Sequence, residues 1–165
     1  MTFVLFISFV ILFRIGELLL SKRNEKWLIQ NGAVEYGKNH YPFIVTLHVL
    51  FISSLIIEYS IQKTVYYNIF LIVLYFMLIA IKISVIFSLG KFWNTKIYHI
   101  SNIPLVRKGL YKYLKHPNYM IVIAEIAVIP LAFHLYYSVI IFSILNAIML
   151  FVRITAENKV LKIDQ

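Results

Sequence analysis

Long apolar stretches dominate this sequence and restrict what it can fold into. Residues 1–20 and 42–61 each match the roughly 20 apolar residues that a helix needs to cross a bilayer, and residues 65–89 form a third such stretch. A fourth, 118–152, is long enough for two spans if the chain turns tightly near 133–137. With 61% hydrophobic and only 14% charged residues, the chain is not an ordinary water-soluble domain. The sequence therefore predicts an all-α integral membrane protein with about five transmembrane helices, the last two forming a short helical hairpin.

The polar segments divide the chain into two parts of one membrane domain, 1–165. Residues 1–90 hold three N-terminal spans and a polar loop at 21–41, whereas residues 91–165 hold a basic, aromatic segment, the hairpin and a tail. Residues 1–20 lack a basic start and a small-residue cleavage site, so we expect a retained helix rather than a signal peptide.

The basic residues are distributed between alternate loops, which predicts the membrane orientation. Lys and Arg concentrate in cytoplasmic loops. Of the sixteen here, only Lys63 falls on the opposite side, while Arg14 and Lys82 lie inside predicted spans. The sequence thus predicts that the N-terminus is outside and the C-terminus inside. The remaining basic residues lie in the first loop, the third loop and the tail: Lys22, Arg23, Lys26, Lys38, Lys91, Lys96, Arg107, Lys108, Lys112, Lys115, Arg153, Lys159 and Lys162.

The net charge of +9 does not indicate nucleic acid, because these basic residues flank predicted spans. Anionic lipid headgroups attract such residues, so we expect membrane lipids and no nucleic acid as partners. The chain has no Cys, which excludes disulfides, a thiol nucleophile and a thiolate metal site. We expect no metal, and the sequence carries no signal for a particular oligomeric state.

Four ionisable side chains fall inside the first three predicted spans, where a charge is costly and usually has a partner or a function. Arg14 and Glu17 are three residues apart on one helical face, which favours a mutual ion pair. Glu58 and Lys82 lie about a turn or more from the predicted helix ends. Anchoring or snorkelling to the interface is at least as good an interpretation of these two as a functional site.

Glu125 differs from these four, because it lies about half-way along the fourth predicted span with no local partner. A functional site and a structural pair with a residue such as Arg153 are equally open interpretations. His48 and His134 fall near predicted span ends, which favours interfacial histidines with satisfied hydrogen bonds.

The segment 106–119, just before the fourth span, has the features of an anion site. Gly109 permits a turn or a close approach to a ligand, and Pro117 suits the first position of a helix. A helix that begins beside His116 points unpaired N–H groups at the membrane surface, where they attract an anion. The alternative is a basic, aromatic anchor for lipid headgroups, which composition alone favours.

The residues of the C-terminal tail favour an anion site over a lipid anchor. Arg153 and Glu157 are four residues apart on one helical face that continues the fifth helix beyond the membrane. A solvated ion pair would explain this spacing, but a hairpin that returns to the same side places this face close to His116 and Tyr119. A cation, an acid, a histidine and a helix N-terminus would then meet at the membrane surface.

Two motifs stand in these segments, G-x-Y-x-Y-x-K-H-P-x-Y at 109–119 and R-I-x-x-E-x-x-x-L at 153–161. With the hairpin between them, they resemble the isoprenylcysteine carboxyl methyltransferase family, whose motifs read roughly G-x-Y-x-x-x-R-H-P-x-Y and R-I-x-x-E-E-x-x-L. The likeness covers about residues 91 to 161. Weaker likenesses to its compact bacterial members stand upstream, at Arg14-x-x-Glu17, Asn24-Glu25-x-Trp27, His40-Tyr41-Pro42 and Phe92-Trp93-x-Thr95.

The resemblance implies a small all-helical membrane enzyme that uses S-adenosylmethionine and lacks the soluble Rossmann-like methyltransferase fold. The sequence agrees, since it has no Gly-rich βαβ pattern. Residues 91–165 would form the catalytic half, with Arg153 between the cofactor and the methyl acceptor. The residues that the resemblance places around the cofactor are Gly109, Tyr111, Lys115, His116, Pro117, Tyr119, Glu157 and Asn158.

Two of these positions depart from the family pattern. Lys115 replaces an Arg and so loses bidentate recognition of a carboxylate, and Asn158 replaces the second acid of a glutamate pair. The remaining chemistry fits the cofactor, because its carboxylate suits Lys115 and His116 and its ammonium suits Glu157. The tyrosines of the first motif supply a wall for its adenine.

The methyl acceptor decides which further residues are needed. A carboxylate is already ionised at neutral pH and needs only positioning by Arg153, whereas a phenolic or enolic hydroxyl needs a base. His116 and Glu125 are the candidate bases. We expect O-methylation of a small lipidic acceptor that enters from the bilayer, with an active site on the cytoplasmic face of a bacterial cell membrane.

Two other functions remain open from the sequence. A phospholipid N-methyltransferase would tolerate a neutral amine and would not depend on Arg153. A transport or non-catalytic membrane protein would instead depend on the charges inside the predicted spans, and His116 and Glu157 would not matter.

Overall fold

The computed structural model describes residues 1–62, 66–101, 103–104 and 106–160. Their helices are α1 (Thr2–Gln30), α2 (Tyr41–Ile61), α3 (Ile69–Leu89), α4 (Pro117–Leu131) and α5 (Tyr136–Val160). Two short strands, β1 (Val34–Tyr36) and β2 (Ile97–His99), and 3-10 turns at Lys38–His40, Gly90–Phe92 and Gly109–Lys112 complete these residues. The predicted all-α membrane architecture is confirmed. Lys63, Lys162, Leu161 and the predicted start of the third span at Val65 lie outside the described residues.

Four of these helices are long and apolar enough to cross a membrane, and α4 is a shorter apolar helix. Its 15 residues rise about 22 Å, less than the roughly 30 Å of a bilayer core. The turn between α4 and α5 lies at residues 132–135, where His134 adopts a left-handed conformation with φ 57°. The predicted hairpin is therefore present, and its first arm is shorter than a full span. The membrane orientation stays a prediction.

The predicted polar loop 21–41 is partly wrong, because α1 continues ten residues beyond Leu20. The extension has polar contacts that an exposed loop would lack. Ser21 Oγ bonds to Asn94 Oδ1 at 2.9 Å and Thr95 Oγ1 at 2.7 Å, and the amide of Asn24 donates to the carbonyl of Trp93 at 2.7 Å. The segment that follows α3 thus holds the polar end of α1 in a helical conformation.

A small antiparallel ribbon, which the sequence analysis missed, closes the same end of the molecule. Its strands pair with Val34 opposite His99, and Lys96 forms an ion pair with Glu25 of α1 at 2.7 Å. Burial lowers the pKa of the Lys96 ammonium, but the hydrogen bond to Glu25 and the charges of Glu25 and Glu35 together raise it above its usual value. The ribbon is therefore fixed to α1 over a wide pH range.

The helices pack in the order α3, α4, α5 and α2, and α1 completes the core with aromatic side chains. Phe3 stacks on Tyr59 of α2 with ring centroids 3.7 Å apart, and Phe6 contacts Tyr75 of α3 edge-on at 4.9 Å. Glu58 has a structural role that the sequence did not indicate, because its carboxylate accepts the backbone N–H groups at the start of α5, at 3.0 and 2.8 Å. These contacts hold the end of the molecule opposite the ribbon.

Four charged side chains form a deep charge network between α1, α3 and α4: Arg14, Glu17, Lys82 and Glu125. The predicted pair of Arg14 and Glu17 is present at 2.8 Å. Of two other interpretations, snorkelling of Lys82 was wrong, and the structural pair of Glu125 is present with partners other than Arg153. Lys82 does not snorkel, because it is fully buried and its Nζ lies 2.7 Å from Glu125 and 3.2 Å from Glu17. Glu125 pairs with Lys82 and, at 2.7 Å, with Arg14, and not with Arg153.

Candidate functional site

A cavity of about 570 Å³ lies at the ribbon end of the molecule, between residues 92–100, the segment before α4 and the end of α5. We call it the upper cavity. Its volume is typical of sites for small molecules and cofactors. The sequence-predicted cofactor residues that line it are Tyr111, Lys115, His116, Tyr119 and Glu157.

The wall of the upper cavity contains four polar side chains that we call the polar cluster: His116, Tyr119, Arg153 and Glu157. The Tyr119 hydroxyl donates to the Glu157 carboxylate and accepts from Arg153 Nε at 2.7 Å. His116 stacks on Tyr119 with ring centroids 5.3 Å apart, and its Nδ1 lies 3.6 Å from Glu157. The convergence that the helical spacing predicted is therefore present, with Tyr119 as the side chain that joins the other three.

The hairpin produces this convergence. His116 directly precedes α4, Pro117 is the first residue of this helix, and Tyr119 lies less than one turn beyond His116. The long helix α5 returns past the start of α4 and carries Arg153 and Glu157 on one face. Because α4 is short, the returning α5 extends beyond it into the upper cavity.

Three other predicted cofactor residues do not line the upper cavity. Gly109 adopts a left-handed conformation with φ 54°, and a Cβ at this position would clash with Ser88 at the end of α3. Pro117 is buried at the start of α4, and Asn158 Oδ1 lies 3.2 Å from His116 Nε2. Each of them shapes or orients the site rather than lining it.

The upper cavity has an electrically positive rim and a neutral phenol in its wall. Arg107, Lys112 and Lys115 contribute to its lining. Burial, and after it the Glu157 carboxylate, raise the pKa of the Tyr111 phenol above its usual value. Tyr111 therefore stays protonated at neutral pH and is available as a hydrogen-bond donor.

A second cavity, of about 270 Å³, lies next to the first among α1, α2, α4 and α5, and we call it the lower cavity. Ile15, Leu18 and Val49 line it and are also 45–58% exposed, so it reaches the outer surface between α1 and α2. The residues that line both cavities are Trp93, Asn118, Tyr119 and Arg153. The two cavities therefore share a wall that includes the Arg153–Tyr119 pair.

Arg153 has one guanidinium nitrogen left for a ligand at this shared wall. Its Nε bonds to Tyr119 and its Nη2 donates to the carbonyl of Thr95 at 2.5 Å. In the part of the chain that the structure describes, Nη1 has no hydrogen-bond or ion-pair partner. Arg153 is only 9% exposed, and its bonds to Tyr119 and Thr95 hold the guanidinium at two points. These bonds fix the direction of the remaining N–H groups.

The candidate base Glu125 does not belong to this site. It lines neither cavity, and both of its carboxylate oxygens are bonded to Lys82, one of them also to Arg14. A carboxylate held by two cations is a poor base, so we withdraw its catalytic assignment. His48 does not lie near a helix end as predicted, because it is seven residues inside α2 and lines the lower cavity.

Sequence reasoning missed two contributors to the shared wall. Trp93 is only 2% exposed, and neither its Nε1 nor Asn118 Oδ1 has a hydrogen-bond partner among the described residues. Trp93 belongs to one of the weaker resemblances to the family, and Asn118 occupies a variable position of the first motif. Only the hairpin geometry brings these two residues together with Arg153.

Comparisons with known proteins agree with this geometry. The model of the Isoprenylcysteine carboxyl methyltransferase (ICMT) family matches residues 69–163, which include both motifs and the hairpin. The uncharacterized protein YpbQ of Bacillus subtilis (strain 168) is 40% identical over 97% of this chain and 96% of its own. An uncharacterized protein of Haemophilus influenzae is 32% identical over 90% of this chain and 88% of its own. No solved structure matches.

Proposed function

The chain belongs to the isoprenylcysteine carboxyl methyltransferase family of membrane methyltransferases, and on this premise we propose that it methylates an oxygen atom of a lipidic acceptor with S-adenosylmethionine. The reaction would take place at the cytoplasmic membrane face. The observation that carries the proposal is the pair of adjoining cavities, one polar-rimmed and one largely apolar, with Arg153 and Tyr119 in both walls.

The residues of the upper cavity fit S-adenosylmethionine. Lys115 and His116, next to the N-terminus of α4, suit its carboxylate, and Glu157 suits its ammonium group. The neutral phenol of Tyr111 offers an aromatic surface for its adenine. The cofactor supplies a methyl group on a sulfonium, which is electrophilic without assistance from a metal.

Arg153 would position the acceptor. Its free Nη1 group carries positive charge at the wall between the cavities, where it would hold an anionic oxygen in line for attack. Direct displacement needs alignment and exclusion of water rather than a covalent intermediate. A carboxylate would require no base, and for a phenolic or enolic hydroxyl His116 remains the candidate base.

The lower cavity supports a lipidic acceptor. Most of its lining is apolar and belongs to α1 and α2, and it reaches the surface that these helices present to the bilayer. A hydrocarbon chain could therefore stay among apolar side chains while its polar end reaches Arg153. Because the chain would move from one apolar environment to another, its entry from the bilayer would cost little.

Transfer of label from S-adenosylmethionine with a tritiated methyl group tests this proposal. The purified protein would be incubated with a bacterial lipid extract, with Arg153→Met as the control variant. We expect label in the lipid fraction from the wild type and at least tenfold less from the variant. Absence of labelled lipid, with folded protein and excess cofactor, would contradict the proposal.

The chemistry of the labelled product identifies the acceptor. Mild alkali releases methanol from a methyl ester, whereas a methyl ether and an N-methyl group both resist it. Label retained in an amine headgroup would replace our O-methylation proposal with a phospholipid N-methyltransferase. Label released as methanol would identify a carboxylate acceptor.

A further inference from the structure

The lower cavity contains a polar side chain that methyl transfer does not require. Asn146 lies in the middle of α5, is only 4% exposed and lines this cavity. Among the described residues, its side-chain amide has no hydrogen-bond partner. The amide opens into the cavity rather than being enclosed by protein, so a ligand or water there supplies its hydrogen bonds.

Asn146 lies well below the shared wall. It precedes Arg153 by seven residues on the same helical face, which corresponds to two turns and a rise of about 10 Å. His48 lies equally far along α2 from Tyr41, whose hydroxyl bonds to Thr95 at 3.1 Å beside Arg153. Since α2 packs against α5, Asn146 and His48 form one polar level of the lower cavity.

His48 contributes a hydrogen-bond acceptor at this level. Its Nδ1 lies 2.9 Å from the backbone carbonyl of Ile44, and a carbonyl can only accept, so Nδ1 carries the proton. The neutral imidazole then presents Nε2 as an acceptor. Asn146 offers both an acceptor and two N–H donors.

The charges around this level are already balanced. Arg14 and Glu17 also line the lower cavity, but within the deep charge network two cations face two carboxylates. No unpaired charge therefore calls for a charged ligand. The group that satisfies both Asn146 and His48 is neutral, accepts from an amide and donates to an imidazole, which describes a hydroxyl.

We infer that the lipidic acceptor carries a second polar group, a neutral hydroxyl in its chain, which Asn146 and His48 recognise. This inference rests on the proposed function, because it takes the lower cavity as the acceptor site. The hydroxyl would lie about 10 Å from the oxygen held at Arg153, which corresponds to roughly eight to ten chain carbons. Asn146 and His48 would then determine specificity, while Arg153 positions the reacting oxygen.

Two fatty acids that differ only in this hydroxyl test the inference: stearic acid and 10-hydroxystearic acid. Their binding to detergent-purified protein is measured without S-adenosylmethionine, so that the result does not depend on methyl transfer. We expect the wild type to bind the hydroxylated acid about tenfold more tightly, since a site built for a hydroxyl disfavours the analogue that lacks it. Equal affinity for the two acids, or no binding of the hydroxylated one, would overturn the inference.

Asn146→Leu should remove the preference and bind both acids within about twofold of each other. Met149→Leu, in the same cavity wall, is the matched control and should keep the tenfold preference. Because Leu replaces an unpartnered amide, Asn146→Leu should fold at least as stably as the wild type. His48→Leu provides a second test. If both variants kept the preference for the hydroxylated acid, the Asn146 amide would bond to water in the cavity and would not recognise the hydroxyl.

Discussion

The deep charge network and the polar cluster each contain an arginine and a glutamate, but the two arginines have different partners. In the network, Arg14 and Lys82 both contact Glu125 at 2.7 Å, and every charged group has an opposite partner. In the polar cluster, Arg153 bonds to a tyrosine hydroxyl and a carbonyl and contacts no carboxylate within the described residues. A buried charge that is compensated within the protein has no group left for a ligand, whereas one with a free N–H is available to a ligand.

The largest expected effect comes from breaking the network. Lys82→Met leaves Glu17 and Glu125 with a single cation, so we expect a loss of about 3–5 kcal/mol in stability, measured by unfolding in detergent. The double variant Lys82→Met/Glu125→Gln removes both members of a pair and should recover most of this loss. Equal stability of the single variant and the wild type would show that the network does not stabilise the fold.

The next effect concerns turnover rather than stability. Arg153→Met should lower kcat by about 100-fold, comparable to the loss of one preorganised donor to a reacting oxygen. Arg153→Lys keeps the charge but not the planar fork, so it should recover only part of the rate. A kcat that stays unchanged in Arg153→Met would place the acceptor elsewhere.

A smaller effect is expected from the hydroxyl that joins the polar cluster. Tyr119→Phe removes the hydroxyl that bonds to both Arg153 and Glu157. We expect kcat to fall about tenfold, which corresponds to about 1.4 kcal/mol and is close to the lower end of the range for a hydrogen bond to a charged group. Tyr137→Phe is the matched control, because Tyr137 is 76% exposed and lines neither cavity. If both variants lost activity equally, the effect could not be assigned to the cluster.

The smallest effect lies at the opposite end of the molecule. Glu58→Ala removes the acceptor for the first N–H groups of α5, which should cost about 1 kcal/mol, as for the loss of a helix cap. Activity of the folded variant should stay unchanged. Lost turnover without lost stability would contradict a purely structural role, and Ser53→Ala on the exposed face of α2 is the neutral control.

The parts of the fold that were predictable from sequence follow from local patterns. Hydropathy located the apolar helices, four of which are long enough to span a membrane, and the four-residue spacing of Arg153 and Glu157 located the face that meets His116. The partners of Lys82 were not predictable, because they depend on how α3 packs against α1 and α4. The helical continuation of α1 beyond Leu20 depends in the same way on contacts of Ser21 and Asn24 with residues 73 and 69 positions away.

Binding of S-adenosylmethionine to the purified protein tests the account most directly. At a hundred times its dissociation constant, the cofactor should stabilise the wild type by about 2.7 kcal/mol and raise its thermal midpoint, and its demethylated product should do the same. Glu157→Gln should bind about tenfold more weakly, since it loses a charged partner for the ammonium group. No change of midpoint in the folded wild type with either compound would contradict a cofactor site in the upper cavity.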